Sequence, residues 1–331
     1  MNQSQTGFSI VIISKDNRDL LIKNLSILTT VLKSNLSNAQ IIVVEATELA
    51  PIRDEAIRYI RIPLKEAGFS HQRNIGQESC RSEHIIFIDD DVEITRSWFS
   101  ELTRSMQEDK DALGIMGAVF PSSPGIIGYC EGLLGHPGGG LRLHYFSKNK
   151  IIPLSEFSTC NTIIKKYVLD AVGGFDTRLK YGGEDTDLSI RIMEKFGKNR
   201  FRYDPNALVY HKPRNSIRKI MPWYIRRGKA DAELFLSHSS HIKYLFSSSI
   251  LLKIFPLVFA GWLLKSFLIL IVAFFAWYAL QLARYKFMFN YFYIYHFSKT
   301  KKVMTLFLFP LIKLLADLMF DLGRIFRTLK R

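Results

Sequence analysis

Phe8–Ser14 is an apolar, largely β-branched run without alternation, as expected of a strand buried on both faces. Between residues 19 and 33, Leu20, Leu21, Leu25, Leu28, Val31 and Leu32 recur at helical spacing. Ile41–Val44, Tyr59–Ile62 (stopped by Pro63), His84–Ile88 and Leu113–Phe120 predict further strands. Residues 69–80 and 97–109 predict helices among them. Residues 165–171, 184–196 and 217–236 also read as helices, and Phe201–Tyr210 as a last strand. Apolar strands alternating with helices predict an α/β fold, a mostly parallel sheet covered by helices on both faces. Residues 121–150 break the pattern. Pro121, Pro124 and Gly138–Gly140 predict a long irregular loop there, and the glycine run lacks the Lys-Ser/Thr of a phosphate cradle.

The pattern changes again near Leu245. Residues 254–283 are nearly all apolar, interrupted by Lys265, and Ser266–Ala283 reaches the roughly 18 residues of a candidate membrane span. Residues 303–323 form a second apolar stretch that contains Lys313 and Asp317. Each such charge costs about 2.5–3.5 kcal/mol at a bilayer centre, so interfacial or re-entrant helices compete with full spans. Lys243, Arg284, Lys286, residues 299–302 and residues 324–331 flank these pieces with positive charge. A helical pair in the cytosolic leaflet keeps all of them on one side. The alternative is a buried helical hairpin or a dimer interface. The expected organisation is a domain over residues 1–240 and a membrane-associated helical region over 241–331, through which oligomers could form.

Charge sharpens this picture. Lys+Arg number 45 against 30 Asp+Glu, a net +15, so anionic partners are expected. Much of the excess follows His211 and is interleaved with aromatic and aliphatic residues, which suits a membrane surface. No RNP, zinc-finger or helix-turn-helix pattern supports nucleic acid as a partner. The 3 cysteines are scattered and form no CxxC, against a disulfide framework or structural zinc site. The N-terminal residues have no basic region or cleavage site of a secretory signal.

Candidate chemistry concentrates in a few places. Asp89-Asp90-Asp91 ends an apolar strand, where carboxylates that repel one another are most easily held by a cation. Strand alternation lets Asp89 and Asp91 converge while Asp90 faces away, and carboxylates suit Mg2+ or Mn2+. The competing reading is a solvated acidic turn. Glu184, Asp185 and Asp187 follow Gly182-Gly183 at a helix start, where one acidic residue serves the helix dipole and another is a candidate general base. His211 follows a strand and is either a hydrogen-bonded histidine or a metal ligand. Arg73, in His71-Gln72-Arg73-Asn74-Ile75-Gly76, suits a phosphate or a base edge. Glu45 ends the second strand, where a carboxylate can meet a nucleobase.

Five ordered segments, FSIVIISKDN, IIVVEATE, HQRNIG, IIFIDDD and GGFDTRLKYGGEDTDLSIRI, resemble the inverting family 2 glycosyltransferases of GT-A fold. The resemblance covers about residues 8–230. It implies a catalytic domain over 1–240 that moves a sugar from a nucleotide-sugar donor (UDP-, GDP- or dTDP-linked) to a hydroxyl of a glycan or lipid-linked acceptor. Asp89 and Asp91 would form the DxD pair on the donor diphosphate with Mn2+ or Mg2+, Asp91 as the direct ligand, and Asp90 would count with Asp89 among the residues that bind the cofactor. His211 would be a further ligand and Asp185 the base. Glu184 would bind acceptor or support its loop, and Arg73 would contact the nucleotide. Glu45 stands where the family commonly has Asp for the nucleobase. Asn161 and Trp223 would touch sugar or acceptor. Processive relatives carry QxxRW, whereas this chain has Tyr224-Ile225-Arg226-Arg227-Gly228, implying addition of one or a few sugars. Arg226 and Arg227 would meet a lipid-linked diphosphate or membrane headgroups. The expected location is the cell (inner) membrane with the catalytic domain on the cytoplasmic side. Two other readings compete: a sugar nucleotidyltransferase, which would want a Gly-rich loop after the first strand, and a non-catalytic membrane scaffold retaining the fold.

Overall fold

The structure is a computed structural model that describes residues 7–35, 37, 39–238 and 248–329. The chain divides into two compact units. One gathers the residues through Ser122 with 135–180 and 184–212, and the other takes 123–134, 181–183 and the chain from Pro213 onward.

The first unit is built on a nine-stranded sheet. Its strands are β1 (Phe8–Lys15), β2 (Gln40–Ala46), β3 (Ile57–Ile62), β4 (His84–Asp89), β5 (Val92–Ile94), β6 (Gly114–Pro121), β7 (Ile152–Leu154), β8 (Asn161–Lys165) and β9 (Phe201–His211). Their order is β3-β2-β1-β4-β8-β6-β9-β5, with β7 also pairing to β9. β1, β2, β3, β4, β6 and β9 run one way; β8 is antiparallel between β4 and β6, and β5 and β7 are antiparallel to β9. The mostly parallel α/β sheet expected from the apolar runs is therefore present. The antiparallel strands β5, β7 and β8 were not expected, because short segments carry little periodicity.

Helices α1 (Arg18–Ser34), α2 (Phe69–Glu78) and α3 (Trp98–Glu108) cover the sheet. Leu21, Leu25 and Leu28 of α1 join Ile10, Ile12, Ile86, Ile88 and Trp98 in one core. Each fully buried aliphatic side chain contributes about 1.5–3 kcal/mol. Gly76 permits the close seating of α2 on β1, since a Cβ there would stand 2.3 Å from Val11 Cγ1.

Residues 121–150 are not the irregular loop expected. They hold α4 (Ile126–Leu133) and α5 (Gly140–Ser147), each 8 residues and too short for a clear apolar period. Gly138 and Gly139 adopt φ of +56° and +82°. A Cβ on Gly138 would lie 2.7 Å from Val119 Cγ2, so this glycine serves close packing. Helices α6 (Lys166–Val172) and α7 (Glu184–Phe196) complete the unit.

The second unit contains α4 with α8 (Ile217–Ser237), α9 (Ile250–Leu263), α10 (Phe267–Arg284), α11 (Met288–Ile294) and α12 (Lys299–Thr328). α8 and α12 meet backbone to backbone: a Cβ on Gly228 would fall 1.9 Å from Phe320 O, and one on Gly323 2.1 Å from Ile225 O. Arg324 of α12 pairs with Asp231 at 2.7 Å and Asp321 at 2.9 Å, and Arg327 with Glu233 at 3.1 Å. α10 and α12 are long and apolar enough to cross a membrane by length and composition, and α10 exposes Phe267, Leu268, Val272 and Phe275. The charges that weighed against a second span, Lys313 and Asp317, pair one turn apart at 2.7 Å. The expected domain boundary at residue 240 and the flanking Lys243 lie outside the described residues.

Candidate active site

Parallel strands that end together bring their carboxyl-terminal residues to one edge, where open α/β sheets bind ligands. Asp89 is the last residue of β4, and Asp91 lies in the turn to β5. β5 pairs with β9 so that Val92 stands opposite His211, which delivers the imidazole to the same corner. His211 Nε2 lies 3.1 Å from Asp91 Oδ1 and 3.9 Å from Asp89 Oδ2. One ligand atom from each of the three residues falls within 4.8 Å of the others. The Asp89 and Asp91 side chains are 29% and 28% exposed, so an ion can enter, while His211 is 7% exposed and held firmly.

The protonation chemistry fits a cation site. Burial raises the Asp89 carboxyl above its usual range and Asp91 adds to this, against the charges of Arg73 and His211. Burial disfavours a charged His211 ring, but the hydrogen bond to Asp91 and the charges of Asp91 and Asp89 outweigh it and lift the ring to about 9. Its Nδ1 meets the Lys212 carbonyl at 2.9 Å. That contact suits an Nδ1–H tautomer with Nε2 turned to the carboxylates, the orientation a metal-binding imidazole needs. A divalent cation would replace the Nε2 proton and offset the two carboxylates. The residues present therefore fit such an ion.

Asp90 faces elsewhere, as strand alternation implies. Its Oδ2 accepts from Ser14 Oγ at 2.5 Å and its carbonyl accepts from Asn24 Nδ2 at 2.6 Å. Burial pushes its carboxyl up to about 6, against the Ser14 hydrogen bond.

Arg73, on α2, is buried and joins two parts of the site. Its Nη1 donates to Glu184 Oε1 at 2.6 Å and its Nη2 lies 3.4 Å from Asp89 Oδ1. Asp185 also acts on the guanidinium electrostatically. One arginine thus gathers Asp89, Glu184 and Asp185, acidic residues far apart in sequence. Glu184 is consumed by this pair and supports the start of α7. Asp185 Oδ1 accepts the Thr186 N–H at 2.9 Å, and its carbonyl accepts from Ser189 Oγ at 2.7 Å.

Glu45 is fully buried at the end of β2. Arg18 Nε donates to its Oε1 at 3.0 Å, and the Tyr59 hydroxyl to its Oε2 at 2.7 Å. Register places Glu45 opposite Ser14 and Asp89 opposite Ile13, so two strand spacings, roughly 10 Å, separate them along one edge. Arg18 and Tyr59 were not singled out from the sequence. Gln72, noted only as part of its segment, ties the edge together by donating to the carbonyls of Ser14 and Val44 at 2.8 and 2.9 Å. Asn161 does not have the sugar contact expected of it. Its amide donates to Ala118 O and Ala207 O and its carbonyl accepts from Trp98 Nε1, all within 3.0 Å, which makes it a core fastener. Trp223 lies in the second unit, on α8.

The sheet order and the acidic edge together form an α/β domain with a candidate metal site at one edge of its sheet. Residues 9–156 match the model of glycosyl transferase family 2. The chain is similar to the pre-mycofactocin glycosyltransferase of Mycobacterium tuberculosis, in strains CDC 1551 and H37Rv, at 25% identity over 254 residues. That match covers 72% of this chain and 49% of the relative, so the chain spans about half the length of the curated relatives it matches. A crystal structure of GalNAc-T7 with UDP, GalNAc and Mn2+ aligns with 68% of this chain and 48% of its own, at 14% identity and a TM-score of 0.47.

Proposed function

We propose that this chain is a metal-dependent, inverting glycosyltransferase that moves a sugar from a nucleotide-sugar donor to a hydroxyl of a lipid-linked or cell-surface glycan precursor, one or a few units at a time. The observation that carries the reading is the convergence of Asp89, Asp91 and His211, with Arg73 tying Asp89 to the start of α7. Asp89, Asp91 and His211 would hold a divalent cation, and an imidazole beside two carboxylates favours Mn2+ over Mg2+. When bound, that ion supplies electrostatic stabilisation of the departing nucleoside diphosphate.

The other steps belong to the chain's own side chains. Asp185 takes the proton of the acceptor hydroxyl as its oxygen attacks the anomeric carbon. Glu184 and Arg73 keep Asp185 at the head of α7, and the Thr186 N–H directs one of its oxygens. Asp90 is tethered by Ser14 and stiffens the turn that carries both cation ligands. The Arg18–Glu45–Tyr59 group lies along the same edge, where a donor nucleoside would extend.

The exposed apolar helices support attachment to the cell membrane, with basic flanks facing the cytoplasm and α10 and α12 in the lipid. A screen of UDP-, GDP- and dTDP-sugars for thermal stabilisation with Mn2+ identifies the donor class. Transfer retained in full by both Asp91→Ala and Asp185→Asn would sink the proposal.

A further inference from the structure

Within the second unit, Glu131 of α4 is 1% exposed. It accepts the Arg214 backbone N–H at 2.9 Å and an Arg214 Nη1 hydrogen bond. The Arg214 guanidinium, held by that carboxylate, lies over the Trp223 ring at 4.4 Å from its centroid. The Arg227 guanidinium lies over the same ring at 5.0 Å. Two cations thus share one half-buried indole, and one buried carboxylate answers them. Arg227 has no ion pair with a carboxylate among the described residues. The cluster keeps a surplus positive charge around a rigid aromatic plane, and an anion would relieve the repulsion.

The setting narrows the anion. Lys219, Trp223, Arg226 and Arg227 fall at helical spacing on one face of α8. Ile220 and Tyr224 of the same helix pack with Ala316 of α12, one of the helices apolar enough to cross a membrane, and Trp223 packs against that cluster. Arginine forks and an aromatic plane beside such a helix match a phosphate headgroup carried on an apolar tail.

We propose that Arg214, Trp223 and Arg227 form a recognition site for the phosphate of a phosphorylated lipid, with Glu131 positioning Arg214. Its role as the acceptor-binding site rests on the glycosyltransferase reading above; the binding itself does not. The test uses the full chain in detergent, mixed with phosphatidylcholine vesicles that carry phosphatidic acid or, at equal charge, phosphatidylglycerol. The wild type is expected to prefer phosphatidic acid, the phosphomonoester, by roughly tenfold. Arg227→Gln, which leaves no buried carboxylate unpaired, and Trp223→Leu erase that preference. Arg218→Gln, on an exposed position of the same helix, lowers binding to both vesicles alike and keeps the preference. A preference that survives Arg227→Gln, or that Arg218→Gln removes equally, overturns the site in favour of general surface attraction. Displacement from the vesicles by low concentrations of inorganic pyrophosphate also overturns it, by assigning the cluster to a soluble anion. Calorimetry of the wild type with UDP, GDP and dTDP in Mn2+ reads the donor site separately. Silence there removes the glycosyltransferase reading and leaves the vesicle result to stand or fall alone.

Discussion

Both units bury an arginine among carboxylates, and they do so to different ends. In the helical unit, Arg324 meets Asp231 and Asp321, and all three side chains are at most 9% exposed. Asp321 also accepts from Ser249 Oγ and the Leu251 N–H. That group is closed and saturated. In the sheet unit, Arg73 faces Asp89, Glu184 and Asp185, while Asp91 adds another carboxylate at a partly open edge. Negative charge is in surplus there and solvent can reach it. A sealed ion cluster whose carboxylates are satisfied by an arginine and neutral donors holds structure; an accessible one with a larger surplus of carboxylates is arranged to take a ligand. The helical unit's Arg214–Trp223–Arg227 group carries the opposite surplus, near apolar helices instead of a sheet edge.

That contrast can be broken experimentally. The largest effects belong to the accessible cluster. Asp185→Asn is expected to lower sugar transfer roughly 10^2–10^4-fold, the usual worth of a general base, with thermal stability little changed. Asp91→Ala should abolish Mn2+-dependent nucleotide binding, read by calorimetry. Next comes Arg324→Met in the sealed cluster. It leaves buried carboxylates unpaired and should cost about 3–5 kcal/mol in denaturant unfolding. If Arg324→Met instead left stability intact and removed donor binding, the division between structural and functional clusters would be wrong.

Gly76→Ala should cost about 1–3 kcal/mol, because the added methyl meets Val11 under α2. The loss should appear in the unfolding midpoint. Lys313→Gln has the smallest effect only where α12 lies in water. If α12 lies in water, losing this pair costs only about 0.3–0.5 kcal/mol. If α12 lies in lipid, Asp317 is stranded and the cost rises to about 2.5–3.5 kcal/mol, measured as lost membrane insertion.

Much of this was legible along the chain. Apolar runs without alternation marked β1, β2, β4 and β6 because strands covered on both faces admit few polar side chains. Leu21, Leu25 and Leu28 marked the inner face of α1 for the analogous reason. The acidic run announced itself because like charges at the end of an apolar strand need a countercharge, and strand alternation turned Asp90 away from Asp89 and Asp91. The segment around Arg73 stood out, but its partners did not. No local pattern shows that its guanidinium spans from Asp89 to Glu184, 111 residues beyond it.

The sequence by itself determined the mostly parallel sheet, the helices that cover it, the long apolar helices at the C-terminal side, and which residue types carry the chemistry. These depend on local periodicity and side-chain character, which each segment holds on its own. Only the tertiary structure decided the antiparallel strands β5, β7 and β8, the capture of Glu45 by Arg18 and Tyr59, and the conversion of Asn161 from a sugar contact to a core fastener. Those outcomes depend on what lies across the fold: β5 is a strand because β9 offers hydrogen bonds to it, and through that pairing His211 comes to stand beside Asp91.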